Sequence, residues 1–278
     1  MHITGNTELV AHIGFPTHAF KAPMIYNPWF EKAGVNAVVM PMGCEAAHYP
    51  EFLRSVFKLA NIRGALITMP HKVTTVGLLD EVLPTAAIAG ACNAVRRLPD
   101  GRLQGDMFDG EGFVRGIRRK GLQLQGARAL VVGSGGVGSA IAASLAAAGV
   151  AALSLYDVNT ASAEGLSQRL RQHYPQLTVH TGSNDPADHD LVVNATPMGM
   201  NEGDALPMDV SRIASTSYVG EVVMRTETTA FLAAAKARGC VCQIGTDMLF
   251  EQIPAYLEYF GFPSTTPDEL RAVARLSY

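Results

Sequence analysis

Little in this chain points to a charged surface, a disulfide framework or a membrane span. Only 17% of its 278 residues are charged, and the net charge is −3. A general nucleic-acid or membrane-surface binder needs a strong basic excess, so both classes are excluded. Cysteine is scarce: Cys44, Cys92, Cys240 and Cys242 are all there is. Cys240 and Cys242 share a face if their segment is a strand. With no second paired cluster, no metal site is expected, and the thiols read as buried and free. The longest alanine-rich run, 140–153, is short for a membrane span. His2, Asn6 and Glu8 stand where a secretory leader would carry a basic run before an apolar one. A cytoplasmic location is the expectation. No internal repeat is visible.

What is present is apolar material, 48% of residues. That is enough for a sizeable core and against global disorder. At roughly 100–200 residues per domain, the chain makes one large or two medium domains. Strand-like and helix-like segments alternate, which predicts an α/β protein. Strands are expected at 8–14, 35–40, 64–69, 92–97 and 102–106, the last two around a Pro99-Asp100-Gly101 turn. Helices fall at 23–34, 50–59 and from Pro70 onward, with a short helix or turn at 86–91. A helix at 109–120 leads into a second block, with strands at 128–132, 151–156, 177–180, 190–194, 215–219 and 240–244. Its helices are expected at 137–148, 161–173 and 227–238. Final helices near 247–259 and 267–276 are expected to cross back onto the first domain. The domain reading is 1–106, 107–244 and 245–278. The densest basic run, Arg115, Arg118, Arg119 and Lys120, reads as a solvated helix end.

The strongest motif is at 127–157. An apolar strand, Arg128 to Val132, runs into Gly133-x-Gly135-x-x-Gly138, and an alanine-rich helix follows. This strand–turn–helix context marks a dinucleotide-binding unit. Gly133 permits the tight turn, Gly135 lets backbone approach a pyrophosphate, and Gly138 allows the helix to pack closely. Gly136 and Val137 lie in the first helical turn, where unpaired N–H groups and the helix dipole favour phosphate. The second strand ends at Asp157, 24 residues after Gly133. A carboxylate there accepts bonds from ribose hydroxyls and repels a 2′-phosphate. The following residues, Val158-Asn159-Thr160, supply no cation. The expected cofactor is therefore NAD rather than NADP.

Several further motifs make the chain resemble the shikimate and quinate dehydrogenases over nearly its whole length. The segment Thr68-Met69-Pro70-His71-Lys72 looks like that family's Thr-x-Pro-x-Lys. Lys72 matches its catalytic lysine, and Thr68 joins the expected substrate site. Asn93, in Gly90-Ala91-Cys92-Asn93-Ala94, matches a substrate-binding asparagine. Spacing from Gly112-Phe113 puts Asp109, rather than Asp106, on the catalytic aspartate. Asn194, Thr196, Pro197 and Met198 look like the family's loop near the cofactor. Gly245, Met248 and Gln252 match a later segment, in which Met248 would border the nicotinamide and Gln252 would face substrate. The resemblance implies an N-terminal α/β substrate domain, a Rossmann-type doubly wound nucleotide domain and a C-terminal helical return. A lysine and a carboxylate sharing one hydroxyl are suited to manage the proton released as hydride leaves a secondary alcohol.

The first loop departs from the family. Where the family carries two serines for the substrate carboxylate, this chain has Phe20 and Ala22. Losing such donors to a charged group costs about 1.5–3 kcal/mol each. Leu66 replaces an asparagine, Met107-Phe108 an Asn-Thr pair, and Met224 a tyrosine. Lys21, His18, Thr17 and Tyr26 lie nearby; Lys21 and Tyr26 are the candidate replacements. The resulting expectation is an NAD(P)-dependent oxidoreductase, NAD preferred, acting on a small cyclic hydroxy acid or a less polar relative, as monomer or homodimer. The alternatives are a non-catalytic NAD sensor on this scaffold and a different NAD enzyme, such as an imine reductase.

Overall fold

The computed structural model describes residues 2–18 and 20–276. Met1, Ala19 of the altered first loop, and Ser277 and Tyr278 at the end of the expected C-terminal segment lie outside the described residues. The chain separates into two compact units, Met1–Phe108 with Ile253–Tyr278, and Asp109–Gln252.

The first unit contains β1 (Glu8–Gly14), α1 (Pro23–Ala33), β2 (Ala37–Gly43), α2 (Tyr49–Val56), β3 (Ile62–Ile67), α3 (Lys72–Val76), β4 (Glu81–Val82), α4 (Pro84–Ala89), β5 (Ala94–Arg97) and β6 (Leu103–Asp106). They form one sheet in the order β2-β1-β3-β5-β6-β4. Strand β1 is parallel to both neighbours, whereas β5 runs antiparallel to β3 and β6. The β5–β6 hairpin closes over the expected turn, with Gly101 N–H donating to Leu98 O at 2.9 Å. Strand β2 runs past its expected end through Pro41, which pairs with His12. Pro41 has no N–H to give, and β2 tolerates this because it is an edge strand.

The second unit contains α5 (Asp109–Arg119), β7 (Arg128–Val132), α6 (Gly136–Ala147), β8 (Ala152–Tyr156), α7 (Thr160–His173), β9 (Thr178–Thr181), β10 (Leu191–Asn194), β11 (Tyr218–Glu221), α8 (Ala230–Ala237) and β12 (Val241–Gln243). The sheet order is β12-β11-β10-β7-β8-β9, and every pairing is parallel. From β7 the chain winds outward to β9 and then returns to β10 on the other side. The reversal lies between β7 and β10, the place where doubly wound sheets bind ligands beyond the carboxyl ends of their strands. Helix α6 is buried along nearly its whole length, because its alanines and serines leave no bulky polar face.

Helix α9 (Gly245–Phe260) and α10 (Pro267–Val273) complete the chain. The later part of α9 belongs to the first unit. There Tyr259 Oη donates to Gln104 O at 2.8 Å and Arg63 Nε to Phe260 O at 2.7 Å. Helix α10 starts with a Thr266–Glu269 capping box, and Arg275 N–H donates to Met24 O of α1 at 2.9 Å. The expected helical return to the first sheet is thus present.

The basic run corrects its expectation. Three of its residues are ion-paired rather than simply solvated: Arg115 meets Glu111 at 2.7 Å, Arg119 meets Glu251 at 3.3 Å and Lys120 meets Asp247 at 3.0 Å. The acidic partners of Arg119 and Lys120 come from α9, which sequence spacing did not bring to α5. All four cysteines are free; Cys44, Cys92 and Cys240 are buried, and Cys242 is half-buried.

Candidate functional site

In the first unit, backbone bonds gather the motif residues at one end of the sheet. Thr68 N–H donates to Ile13 O at 2.9 Å, and His71 N–H closes the turn on Thr68 O at 3.0 Å. Lys72 follows as the first residue of α3. Its carbonyl accepts from Cys92 N–H at 2.8 Å, and Asn93 O accepts from Ile67 N–H at 2.9 Å. Asn93 is buried, and its Oδ1 accepts from Phe108 N–H at 2.9 Å. Phe108 lays its ring against Tyr256 and Tyr259, at 4.9 and 5.1 Å between centroids.

The turn before Lys72 is locked by a residue that sequence reasoning passed over. His71 is buried and lies flat on Tyr49, with centroids 3.9 Å apart and planes 6° from parallel. Its Nε2 bonds Cys44 O at 2.8 Å, and Tyr49 Oη shares a 2.6 Å bond with Thr75 Oγ1. Burial pushes the His71 pKa down and that of Tyr49 well up.

The two acidic candidates are separated by their partners. Asp106 Oδ1 accepts from Ala86 N–H at 2.9 Å, in the first turn of α4. Asp109 opens α5 and is buried.

The altered first loop has a structural counterpart. Phe20 stacks on His12 of β1, with ring centroids 4.1 Å apart and an interplanar angle of 29°. A Cβ at Gly14 would lie 2.9 Å from Phe20 Cζ and would collide with Thr68 Cγ2. The Phe20 ring tip therefore lies over the end of β1, beside Thr68. His12 is 8% exposed, and its Nδ1 has no hydrogen-bond partner. A buried unpaired polar atom of this kind costs about 1–3 kcal/mol. Burial first, and the Lys72 charge second, lower the His12 pKa to about 4. The sequence held a signal for His12: a lone imidazole in a strand whose later residues are all buried.

The neighbouring candidates are distributed differently. Tyr26 is 2% exposed, and its hydroxyl has no partner. Lys21, Thr17 and Ala22 are half-buried and His18 is exposed. Leu66 and Met107 are core residues.

In the second unit the glycine turn is defined by what a side chain would strike. Gly133 has φ +103°, and a Cβ there would lie 2.6 Å from Ala195 O. A Cβ at Gly138 would collide with Gly133 O. Gly135, by contrast, has nothing within 4 Å of that position. Together with the exposed Gly136 it leaves open backbone at the start of α6. Val137 is half-buried in the same turn. Ser134 Oγ is buried without a partner at this turn. Asp157 Oδ2 accepts from Ser134 N–H at 2.7 Å and Oδ1 from Asn159 N–H at 2.8 Å. An open cradle, an orphaned hydroxyl and a carboxylate beside them fit a dinucleotide.

At the end of β10, Asn194 is fully buried and organises the next loop. Its Oδ1 accepts from Thr196 N–H at 3.1 Å and Thr196 Oγ1 at 2.6 Å, and its Nδ2 donates to Met198 O at 3.0 Å. Pro197 and Met198 are exposed at the loop tip. Glu221, in register with Asn194 on β11, is fully buried, and burial raises its pKa. Its Oε2 accepts from Thr229 Oγ1 at 2.9 Å. Gly245 starts α9 where a Cβ would strike Val223 O, Met248 is buried, and Gln252 carries a buried Oε1 with no partner. Met224, at the expected tyrosine position, is 42% exposed.

Comparison with known proteins places this geometry. Residues 13–95 match the family model for the shikimate dehydrogenase substrate binding domain. Shikimate dehydrogenase (NADP(+)) of Acidiphilium cryptum is 33% identical over 277 residues, covering 99% of this chain and 98% of the relative. The chain belongs to the shikimate dehydrogenase family. Residues 114–182 also match the ThiF family model. Among solved structures, shikimate 5-dehydrogenase from Listeria monocytogenes, in complex with shikimate and NAD, is 25% identical with a TM-score of 0.91, covering 98% of both chains. Quinate dehydrogenase from Corynebacterium glutamicum, in complex with NAD, is 29% identical with a TM-score of 0.83, covering 96% of this chain and 98% of that one. Among the described residues, no helix is long and apolar enough to cross a membrane.

Proposed function

We propose that this protein is an NAD-preferring dehydrogenase that interconverts a secondary alcohol and a ketone on a cyclic polyol acid or a less polar relative. The observation that carries the reading is the cluster of Thr68, Lys72 and Asn93, tied together by backbone bonds in a chain that also has an open glycine turn ending at Asp157. NAD, when bound, would supply the hydride acceptor. Lys72 and Asp109 handle the hydroxyl proton, and the ammonium stabilises negative charge developing on oxygen. Asn93 and Thr68 orient the substrate, and the family resemblance implies Gln252 as a further substrate-facing residue. Gly133, Gly135 and the first turn of α6 would hold the cofactor's pyrophosphate.

The NAD preference rests on this chain's own residues. The curated relative from A. cryptum is named for NADP(+), whereas the Listeria and Corynebacterium enzymes were solved with NAD. Here Asp157 is followed by Val158, which is 90% exposed, with no cation before residue 161 to meet a 2′-phosphate. The test is NADH formation from a panel of cyclic hydroxy acids and their uncharged analogues, with Lys72→Ala and Asp109→Asn as controls. Turnover confined to the wild type is expected; turnover surviving both substitutions would overturn the assignment. Tight NAD binding without turnover of any panel member would favour a nucleotide sensor, a reading to which the missing loop serines also point.

A further inference from the structure

Phe20 stands where the family places the first of its carboxylate-binding serines, and it occupies that place with a ring turned onto His12 and Gly14. The second hydroxyl is absent at Ala22. A carboxylate brought against a phenyl ring and a methyl group gives up its hydration with nothing in exchange. Lys21, the nearest cation along the loop, already has a partner within the chain.

His12 supplies the other half of the chemistry. It is more than nine-tenths buried, its Nδ1 is unpaired, and it lies close enough to Lys72 to feel that charge. Burial and Lys72 keep it neutral at physiological pH. A neutral imidazole carries one donor and one acceptor. A hydroxyl, both donor and acceptor, can satisfy Nδ1 in either tautomer, and a neutral carbonyl can accept where Nδ1 carries the proton; a carboxylate can only accept, and would give up its hydration for a single neutral donor.

We propose that His12 and Phe20 are the specificity-determining pair of this enzyme, and that the part of the substrate the family binds as a carboxylate is here an uncharged, hydroxyl- or carbonyl-bearing group hydrogen-bonded to His12. The substrate class is thus a neutral cyclic polyol or its ketone. This deepens the dehydrogenase reading and rests on it for the reaction, but not for the binding.

The probes are shikimate, its analogue with a hydroxymethyl group in place of the carboxylate, and a set of uncharged cyclic polyols. Binding is measured by calorimetry in the presence of NADH, separately from turnover with NAD. Wild type should bind at least one neutral probe about ten-fold or more tightly than shikimate, the scale of one hydrogen bond plus an unpaired buried group. The double variant Phe20→Ser/Ala22→Ser should reverse that order. His12→Leu should weaken the neutral probe about ten-fold, and His12→Gln, which keeps a donor and an acceptor, should restore part of the loss. Where turnover is seen, these losses should fall on KM with kcat little changed.

Neutral-probe binding that depends on His12 but without turnover would uphold the pair and overturn the dehydrogenase reading. Tighter binding of shikimate than of every neutral probe would overturn the inference. So would the absence of binding by any probe, or unchanged affinities in a His12→Leu protein whose circular dichroism matches wild type. Should His12→Leu fail to fold, the Phe20→Ser/Ala22→Ser reversal decides: no change of preference overturns the inference.

Discussion

The two units recognise their ligands by different means. Around Gly133–Gly138 recognition is built from backbone, and side chains are excluded: a Cβ at Gly133 or Gly138 would strike Ala195 O or Gly133 O. Around Thr68–Lys72 the proposed recognition depends on side chains, with Phe20 standing where the family resemblance implies a serine. A backbone-built site tolerates little change at the positions where a Cβ would collide, Gly133 and Gly138. A side-chain site keeps only the groups its chemistry needs and exchanges the rest.

Separate substitutions can break this contrast. The largest effect is expected from Lys72→Ala, which should lower kcat by about 10²–10⁴-fold, the range for a positioned acid–base group, while NADH affinity measured by fluorescence titration stays as in wild type. A parallel loss of NADH affinity would mean that the halves are not independent.

His12 gives a pH-dependent effect confined to the first unit. Its folded-state pKa is about 4 against an ordinary 6.5, so the unfolded chain takes up the proton first as pH falls. The stability held above pH 6.5 is therefore lost between 6.5 and 4. The full loss is about 3 kcal/mol at roughly 1.4 kcal/mol per unit. Urea unfolding from pH 7 to 4 should show this slope in wild type, and His12→Leu should flatten it. An identical slope in the variant would assign the effect to other groups.

Gly138→Ala probes the nucleotide unit alone. Forcing a Cβ against Gly133 O should cost about 1–3 kcal/mol, read as a lower melting temperature and weaker NADH binding. Binding at wild-type strength would show that the turn has room to yield.

The same contrast explains what was legible in the sequence. The order of strands and helices could be read because apolar periodicity and glycine punctuation are local. Gly133 and Gly138 could be read because their surroundings admit only glycine. Lys72, Asn93 and Asp109 were nominated by motif and spacing alone. Strand β4 was missed, since Glu81–Val82 is too short to carry a pattern. The ion pairs of Arg119 and Lys120 were missed because their partners lie 132 and 127 positions away on α9. His12 was missed for a related reason. A histidine in a strand carries little meaning until Phe20, a loop residue, is found stacked on it.

Cofactor choice is the smallest effect and the most direct test of the central claim, because Asp157 is the side chain on which the proposed NAD preference rests. NADH and NADPH are titrated side by side against the wild-type protein and against Asp157→Ala. NADH should bind the wild type about ten-fold or more tightly than NADPH, the scale of a charge-assisted hydrogen bond, and the preference should shrink in the variant. Tighter binding of NADPH by the wild type would contradict it.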